Sequence, residues 1–152
     1  MRLVRAHLNA LGIAMMLIPG IALSANPDTM EKTHTMNIVF DAGDQQIPAT
    51  LEDSAAGRAF ADMLPLTLEL EDFGGGVEKI ADLPTSLPDE TASKGMKPAA
   101  GDITYYAPWG NLAIFRKGFK HASGLVRLGQ FDADFSAIDR SGPIEVTIKR
   151  AE

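Results

Sequence analysis

Runs in which apolar and polar residues alternate one for one, each stopped by glycine or proline, constrain this chain more than any other feature. Leu66, Leu68 and Leu70 interleave with Thr67, Glu69 and Glu71, and Ile144, Val146 and Ile148 interleave with Glu145, Thr147 and Lys149. A period of two suits a strand with one buried and one wet face, because successive side chains leave opposite faces of the pleat. Met36, Ile38 and Phe40 begin the same pattern. Residues 41–44 turn it back into 46–51, a hairpin in which Pro48 marks an exposed position or an edge. Further strands are predicted over 103–106, 111–115 and 125–131, the last with a bulge at Gly129. The period changes once. Ala55, Ala59, Phe60, Met63 and Leu64 fall at helical spacing, with Asp53 or Ser54 placed to cap and Pro65 to stop the helix. Phe135 and Ile138 suggest a short helical turn, and residues 82–100, rich in proline, read as a long loop of the kind that often carries function. Seven short strands with one main helix predict a mainly β protein, a small barrel or rolled sheet.

The amino terminus reads as an address. Arg2 and Arg5 precede an uncharged apolar stretch over 10–23, broken by Pro19 and Gly20 and followed by the small residues Ala22, Ser24 and Ala25. That is the pattern of a signal peptide over residues 1–25, cleaved after Ser24 or Ala25. The stretch is too short and too interrupted for a spanning helix, which needs about 20 apolar residues, so no stable membrane anchor is expected. The chain is therefore expected to be exported, to a periplasm or beyond the cell. Residues 26–35 are expected to form a flexible lead, and 36–150 the domain. Removing 1–25 takes away two arginines and no acid.

Composition closes off several chemistries. A length of 152 residues with 45% hydrophobic and 22% charged residues fits one globular domain. The absence of cysteine excludes disulfides, thiol nucleophiles and thiolate metal sites. A net charge of −6 opposes a nucleic-acid partner. His34 and His121 have no ligand spacing, and the acidic pairs Asp41/Asp44 and Asp132/Asp134 lack a calcium-loop pattern, so no metal site is expected. The triple glycine at 74–76 is not followed by the lysine and hydroxyl of a phosphate cradle, and no cofactor is expected. Ser123 sits near His121 without a nucleophile elbow. Glu69 and Glu71 share one strand face about 7 Å apart, the face that water covers. No catalytic residue is assigned.

Aromatic placement is what remains. Tyr105, Tyr106, Trp109, Phe115 and Phe119 gather within a short span. Adjacent tyrosines leave opposite faces of a strand, so one enters a core while the other faces a groove. Trp109 lies in a Pro-Trp-Gly turn, where a large ring is hard to bury and well placed for recognition. Tyr106, Trp109 and Asn111 are thus candidate ligand-binding residues, with Arg116 as a possible cationic contact. The competing reading is a small apolar cluster that packs the hairpin.

The run Gly101-Asp102-Ile103-Thr104-Tyr105-Tyr106-Ala107-Pro108-Trp109-Gly110-Asn111-Leu112-Ala113-Ile114-Phe115 resembles the bacterial cyclophilin-like fold proteins, a domain family without an assigned activity. Leu51-Glu52-Asp53-Ser54, Leu64-Pro65-Leu66, Glu78-Lys79, Leu83-Pro84, Ser123-Gly124-Leu125 and Leu128-Gly129 match as well, so the resemblance covers about residues 36–150. Arg116 departs from it, standing where the family pattern usually has tyrosine. The resemblance implies a closed cyclophilin-like β-barrel capped by a helix. It does not imply prolyl isomerisation, which in cyclophilins relies on an arginine beside an apolar pocket and a Phe-x-x-Gln arrangement. Three residues after Phe115 and Phe131 come Gly118 and Asp134. The expected function is a non-enzymatic exported module that binds a small molecule or peptide in an aromatic-edged groove. The alternatives are a prolyl isomerase with a rearranged site and a structural domain without a pocket.

Overall fold

The computed structural model describes residues 35–152. The expected signal peptide, and all but the last residue of the expected lead, lie outside the described residues. Among the described residues the strands are β1 (Met36–Ala42), β2 (Gln45–Leu51), β3 (Leu66–Phe73), β4 (Glu78–Asp82), β5 (Asp102–Tyr106), β6 (Asn111–Phe115), β7 (Leu125–Phe131) and β8 (Ile144–Arg150), with one helix, α1 (Ala55–Asp62), between β2 and β3. All pairings are antiparallel, and the order β1-β2-β7-β5-β6-β4-β3-β8 closes on itself as β8 pairs with β1. Closure removes every free edge.

Eight strands stand where the alternation predicts seven. The addition is β4, Glu-Lys-Ile-Ala-Asp, whose inward residues are Lys79 and Ala81. One is charged and the other small, and the strand's bulky apolar residue, Ile80, faces outward, so the strand's pattern does not announce itself. The expected hairpin forms with Phe40 opposite Ile47. Pro48 needs no edge: the ladder between β2 and β7 begins one residue later, at Ala49 opposite Phe131. Ser54 caps α1, its Oγ accepting the Gly57 N–H at 3.0 Å, and the helix ends at Asp62, two residues short of the sequence expectation. The turn at Phe135 is a single one, in which the Phe135 carbonyl accepts the N–H groups of Ile138 and Asp139 at 2.8 and 2.9 Å.

The barrel interior is filled by inward residues from all eight strands, among them Phe40, Leu51, Leu70, Ile103, Tyr105, Leu112, Ile114, Leu128 and Ile148. Phe60 and Ala61 of α1 join this core, the helix packing against β7 and β2. A second, smaller cluster lies apart, built on Ala113, Phe115 and Leu125 with Val77, Ile80, Tyr106 and Met96 against it. Its strand residues alternate with those of the interior, which places them on the outer face of β4, β5, β6 and β7.

The interior also holds a charge. Lys79 is fully buried and donates to Asp72 at 2.6 Å and to the Gly142 carbonyl at 2.5 Å. Asp72 lies directly across the ladder from it. Hydrogen bonding from Lys79, then from the Gly142 N–H, holds the Asp72 carboxyl below the ordinary aspartate value of 3.8. Partial burial opposes this shift, and the charges of Lys79 and Arg116 reinforce it. Removing the carboxylate that pairs with a buried ammonium costs more than replacing that ammonium by apolar volume, because the buried charge is left uncompensated. Asp72→Ala is therefore expected to destabilise the domain more than Lys79→Met in urea unfolding at neutral pH. A depressed folded pKa gives stability above the unfolded value that is lost as pH falls through the folded one. The gap between wild type and Asp72→Ala should accordingly narrow below about pH 4. A larger loss in Lys79→Met would show that the lysine acts mainly by filling space.

Candidate functional site

The outer cluster opens into a cavity of about 240 Å3. Three chain segments bound it. The first runs from the end of β3 through the glycine turn into β4, and brings Phe73, Gly74, Val77, Glu78 and Ile80. The second is the β5–β6 hairpin with Tyr106, Trp109, Asn111 and Phe115. The third is the segment before and at the start of β7, with Phe119, Ala122, Ser123 and Leu125.

Local geometry explains how the rings come together. Phe73 and Glu78 pair across the β3–β4 ladder, and Glu78 pairs with Phe115 across β4–β6. One residue along, Lys79 turns into the interior with the more exposed Asp72 across from it, so the same two-residue period keeps this pair off the face that carries the cavity residues. Tyr106 and Asn111 are the last pair of the β5–β6 ladder, and Trp109 sits in the four-residue turn that joins them. Trp109 meets Phe73 and Tyr106 edge to face, each at 5.3 Å between centroids, with interplanar angles of 85° and 83°. Gly124 allows the close approach beneath. At its φ of +91°, a Cβ would stand 2.8 Å from the Tyr106 ring and 2.9 Å from Pro108.

Exposure separates this face from the rest of the surface. Among the described residues the exposed large hydrophobic side chains are Trp109 at 57%, Phe73 at 40% and Phe119 at 38%, and all three line this one cavity. Isolated exposed apolar groups are ordinary, whereas several converging on one concavity mark a contact surface.

Besides Ser123, whose hydroxyl is bonded to a carbonyl, Asn111 and Glu78 stand in the wall. Asn111 is buried, and its Oδ1 has no hydrogen-bond partner among the described residues. An unpaired buried oxygen costs free energy, on the order of 1–3 kcal/mol, unless another group satisfies it. Burial pushes the Glu78 carboxyl above the ordinary glutamate range.

Three of the four candidate residues, Tyr106, Trp109 and Asn111, therefore meet at one site. Arg116 does not join them. It follows Phe115 and leaves the opposite face of β6, where its Nε donates to Asp139 at 2.6 Å and its Nη1 to Asp72 at 3.2 Å. It belongs to the ion cluster at Lys79 and is absent from the cavity lining. The strand period places the side chain correctly; the acidic partners that claim it, Asp72 and Asp139, are distant in sequence.

The same alternation gives the outcome for the tyrosine pair, with Tyr105 in the core and Tyr106 at the cavity. Phe73, Val77 and Glu78 enter the site through β4 and the turn before it, and so share that strand's weak sequence signal. His121 and Ser123 do not form a nucleophile pair: Nε2 of His121 is 2.9 Å from the Lys94 carbonyl oxygen, and Oγ of Ser123 bonds the Ser93 carbonyl.

A family model described as the cyclophilin-like family matches residues 40–149. The chain belongs to that family. Its barrel is similar to the solution structure of a hypothetical protein from Archaeoglobus fulgidus, with a TM-score of 0.63 at 19% identity, over 80% of this chain and 99% of that one. At that identity the likeness is one of fold. No curated protein matches the chain.

The cyclophilin-like barrel does bring an arginine beside a glutamine, away from the aromatic cavity. Arg127 Nη2 donates to Gln130 Oε1 at 2.7 Å. The same guanidinium is held by Glu52 at 2.8 Å and by the buried Asp102 at 3.0 Å. The hollow next to it is lined by residues that include Thr50, Glu52, Asp53 and Ser54 and holds no aromatic ring. No arginine lines the aromatic cavity.

Proposed function

We propose that this cyclophilin-like domain is an exported binding module whose cavity takes a small molecule or a short peptide. The observation that carries the reading is the convergence of Trp109, Phe73 and Phe119, the exposed large apolar side chains among the described residues, on one concavity. The rings supply contact area with little conformational freedom to lose. Asn111, with an unspent acceptor in the wall, supplies direction. A domain used only as a structural unit has no need to leave three such rings in water around a hollow. Export rests on the basic start, the short apolar stretch and the small residues before residue 26.

A ligand that binds only the folded state raises stability by mass action, by about 2.7 kcal/mol at a hundredfold excess over Kd. For a domain of this size that corresponds to a rise in Tm on the order of 10 °C. A thermal-shift screen of small aromatic and aliphatic compounds and short peptides should therefore yield members that raise Tm in a saturable way. A screen across those classes in which nothing moves Tm would contradict the reading and leave the rings as packing.

A further inference from the structure

The lining has a charge asymmetry that narrows what the cavity accepts. Its rings belong to Phe73, Tyr106, Trp109, Phe115 and Phe119, and its one carboxylate to Glu78; it contains no lysine, arginine or histidine. Trp109 stands nearly perpendicular to both Phe73 and Tyr106, so the three rings form a corner. The face of an aromatic ring is electronegative and attracts a cation placed within about 6 Å of its centroid. One ring of the set already does this, as Lys120 Nζ lies 5.9 Å from the centroid of Phe119.

We propose, building on the binding-module reading, that the cavity recognises an organic cation, an alkylammonium group seated at the ring corner of Trp109, Tyr106 and Phe73 opposite Glu78. Each wall contributes a different part of the recognition. The rings attract the charge and cover the alkyl stem. Glu78 supplies a counter-charge that water only partly reaches, and its raised pKa reflects burial without a compensating cation. The Asn111 amide, which turns about a soft terminal torsion, offers its unpaired oxygen to an ammonium N–H. An anionic ligand would meet Glu78 with no cation in the lining to offset it. A volume of about 240 Å3 suits the head group and a short stem of such a ligand, whether it is a free amine or a lysine side chain of a peptide.

The test uses the full chain and the emission of Trp109, its sole tryptophan. Titrations with n-butylammonium chloride and with 1-butanol, at matched ionic strength, compare a charged and a neutral probe of nearly equal size. The ammonium is expected to change the emission saturably at about tenfold lower concentration than the alcohol. Glu78→Gln should cut that preference severalfold, leaving the part that the rings supply. Since Glu78 has no ion-pair partner among the described residues, the variant loses the charge without breaking such a contact, and its Tm confirms that it is folded. Equal midpoints for the two probes, or a preference undiminished in Glu78→Gln, would overturn the cation proposal and leave the binding-module reading standing. No response to the ammonium across the millimolar range would overturn it as well, with the thermal-shift screen deciding the broader reading separately. A free amine and a lysine side chain are distinguished by repeating the titration with an acetylated lysine amide.

Discussion

Trp109→Ala should weaken ligand binding at least about thirtyfold, the scale of a hot-spot aromatic, while the barrel stays folded. The expectation follows from where the ring stands. Trp109 is 57% exposed and owes its position to edge contacts with Phe73 and Tyr106 rather than to the core. Losing those contacts costs about 1–2 kcal/mol of stability. A buried tryptophan would cost about 3–5 kcal/mol. Denaturant unfolding of the variant, alongside binding of any compound that raises the wild-type Tm, separates the two roles. A stability loss in the higher range with binding retained would assign the ring to packing and remove the site's principal residue.

The largest effect on stability is expected from a single methyl group on β7. Gly129→Ala should destabilise the domain by about 3 kcal/mol or more, the upper end of over-packing costs. A Cβ at Gly129 would stand 2.1 Å from the Thr50 carbonyl oxygen and 2.9 Å from the Leu51 Cα. Both are backbone atoms of β2, so relief requires moving that strand. The seam affected is short, with Ala49, Thr50 and Leu51 opposite Phe131, Gln130 and Gly129. The register of β5 against β7 also shifts beside this glycine, between Ile103 and Thr104, so the strand is already bent there. Gly43→Ala is the control. It carries a positive φ of 67° but nothing lies within 4 Å of its would-be Cβ, so only backbone strain of about 1 kcal/mol opposes the methyl. Urea unfolding of both variants checks the ranking. A Gly129→Ala protein no less stable than Gly43→Ala would mean that the β2–β7 seam opens without consequence.

Much of the fold is legible in the sequence because a barrel wall with one wet face writes itself as alternation. β3 and β8, the two clearest alternations, form as read, and the structure pairs them with Leu68 opposite Val146 and Leu70 opposite Ile144. The bulge expected at Gly129 and the cap expected at Ser54 have local causes, and both are found. β4 escapes this reading because a buried ammonium occupies its inward position. Lys79 is accounted for only by Asp72 across the ladder and by Gly142, 63 positions away. Half of the candidate site is local in the same sense: Tyr106, Trp109 and Asn111 sit on one hairpin. The other half is not. Phe73 and Glu78 reach the cavity because β4 inserts between β3 and β6, and that order is a property of barrel closure rather than of any short segment. Arg116 shows the limit from the other side, since strand period gives its direction but not the carboxylates that hold it.

The central claim, that the cavity around Trp109 is a binding site, is tested most directly by the emission of that residue. In the free protein its ring should emit as an exposed indole and be quenched readily by iodide. Adding a compound that raises Tm should shift the emission to shorter wavelength and protect it from iodide, with a midpoint equal to the one read from stability. Compounds that raise Tm while leaving Trp109 emission and quenching unchanged would place binding elsewhere and contradict the account.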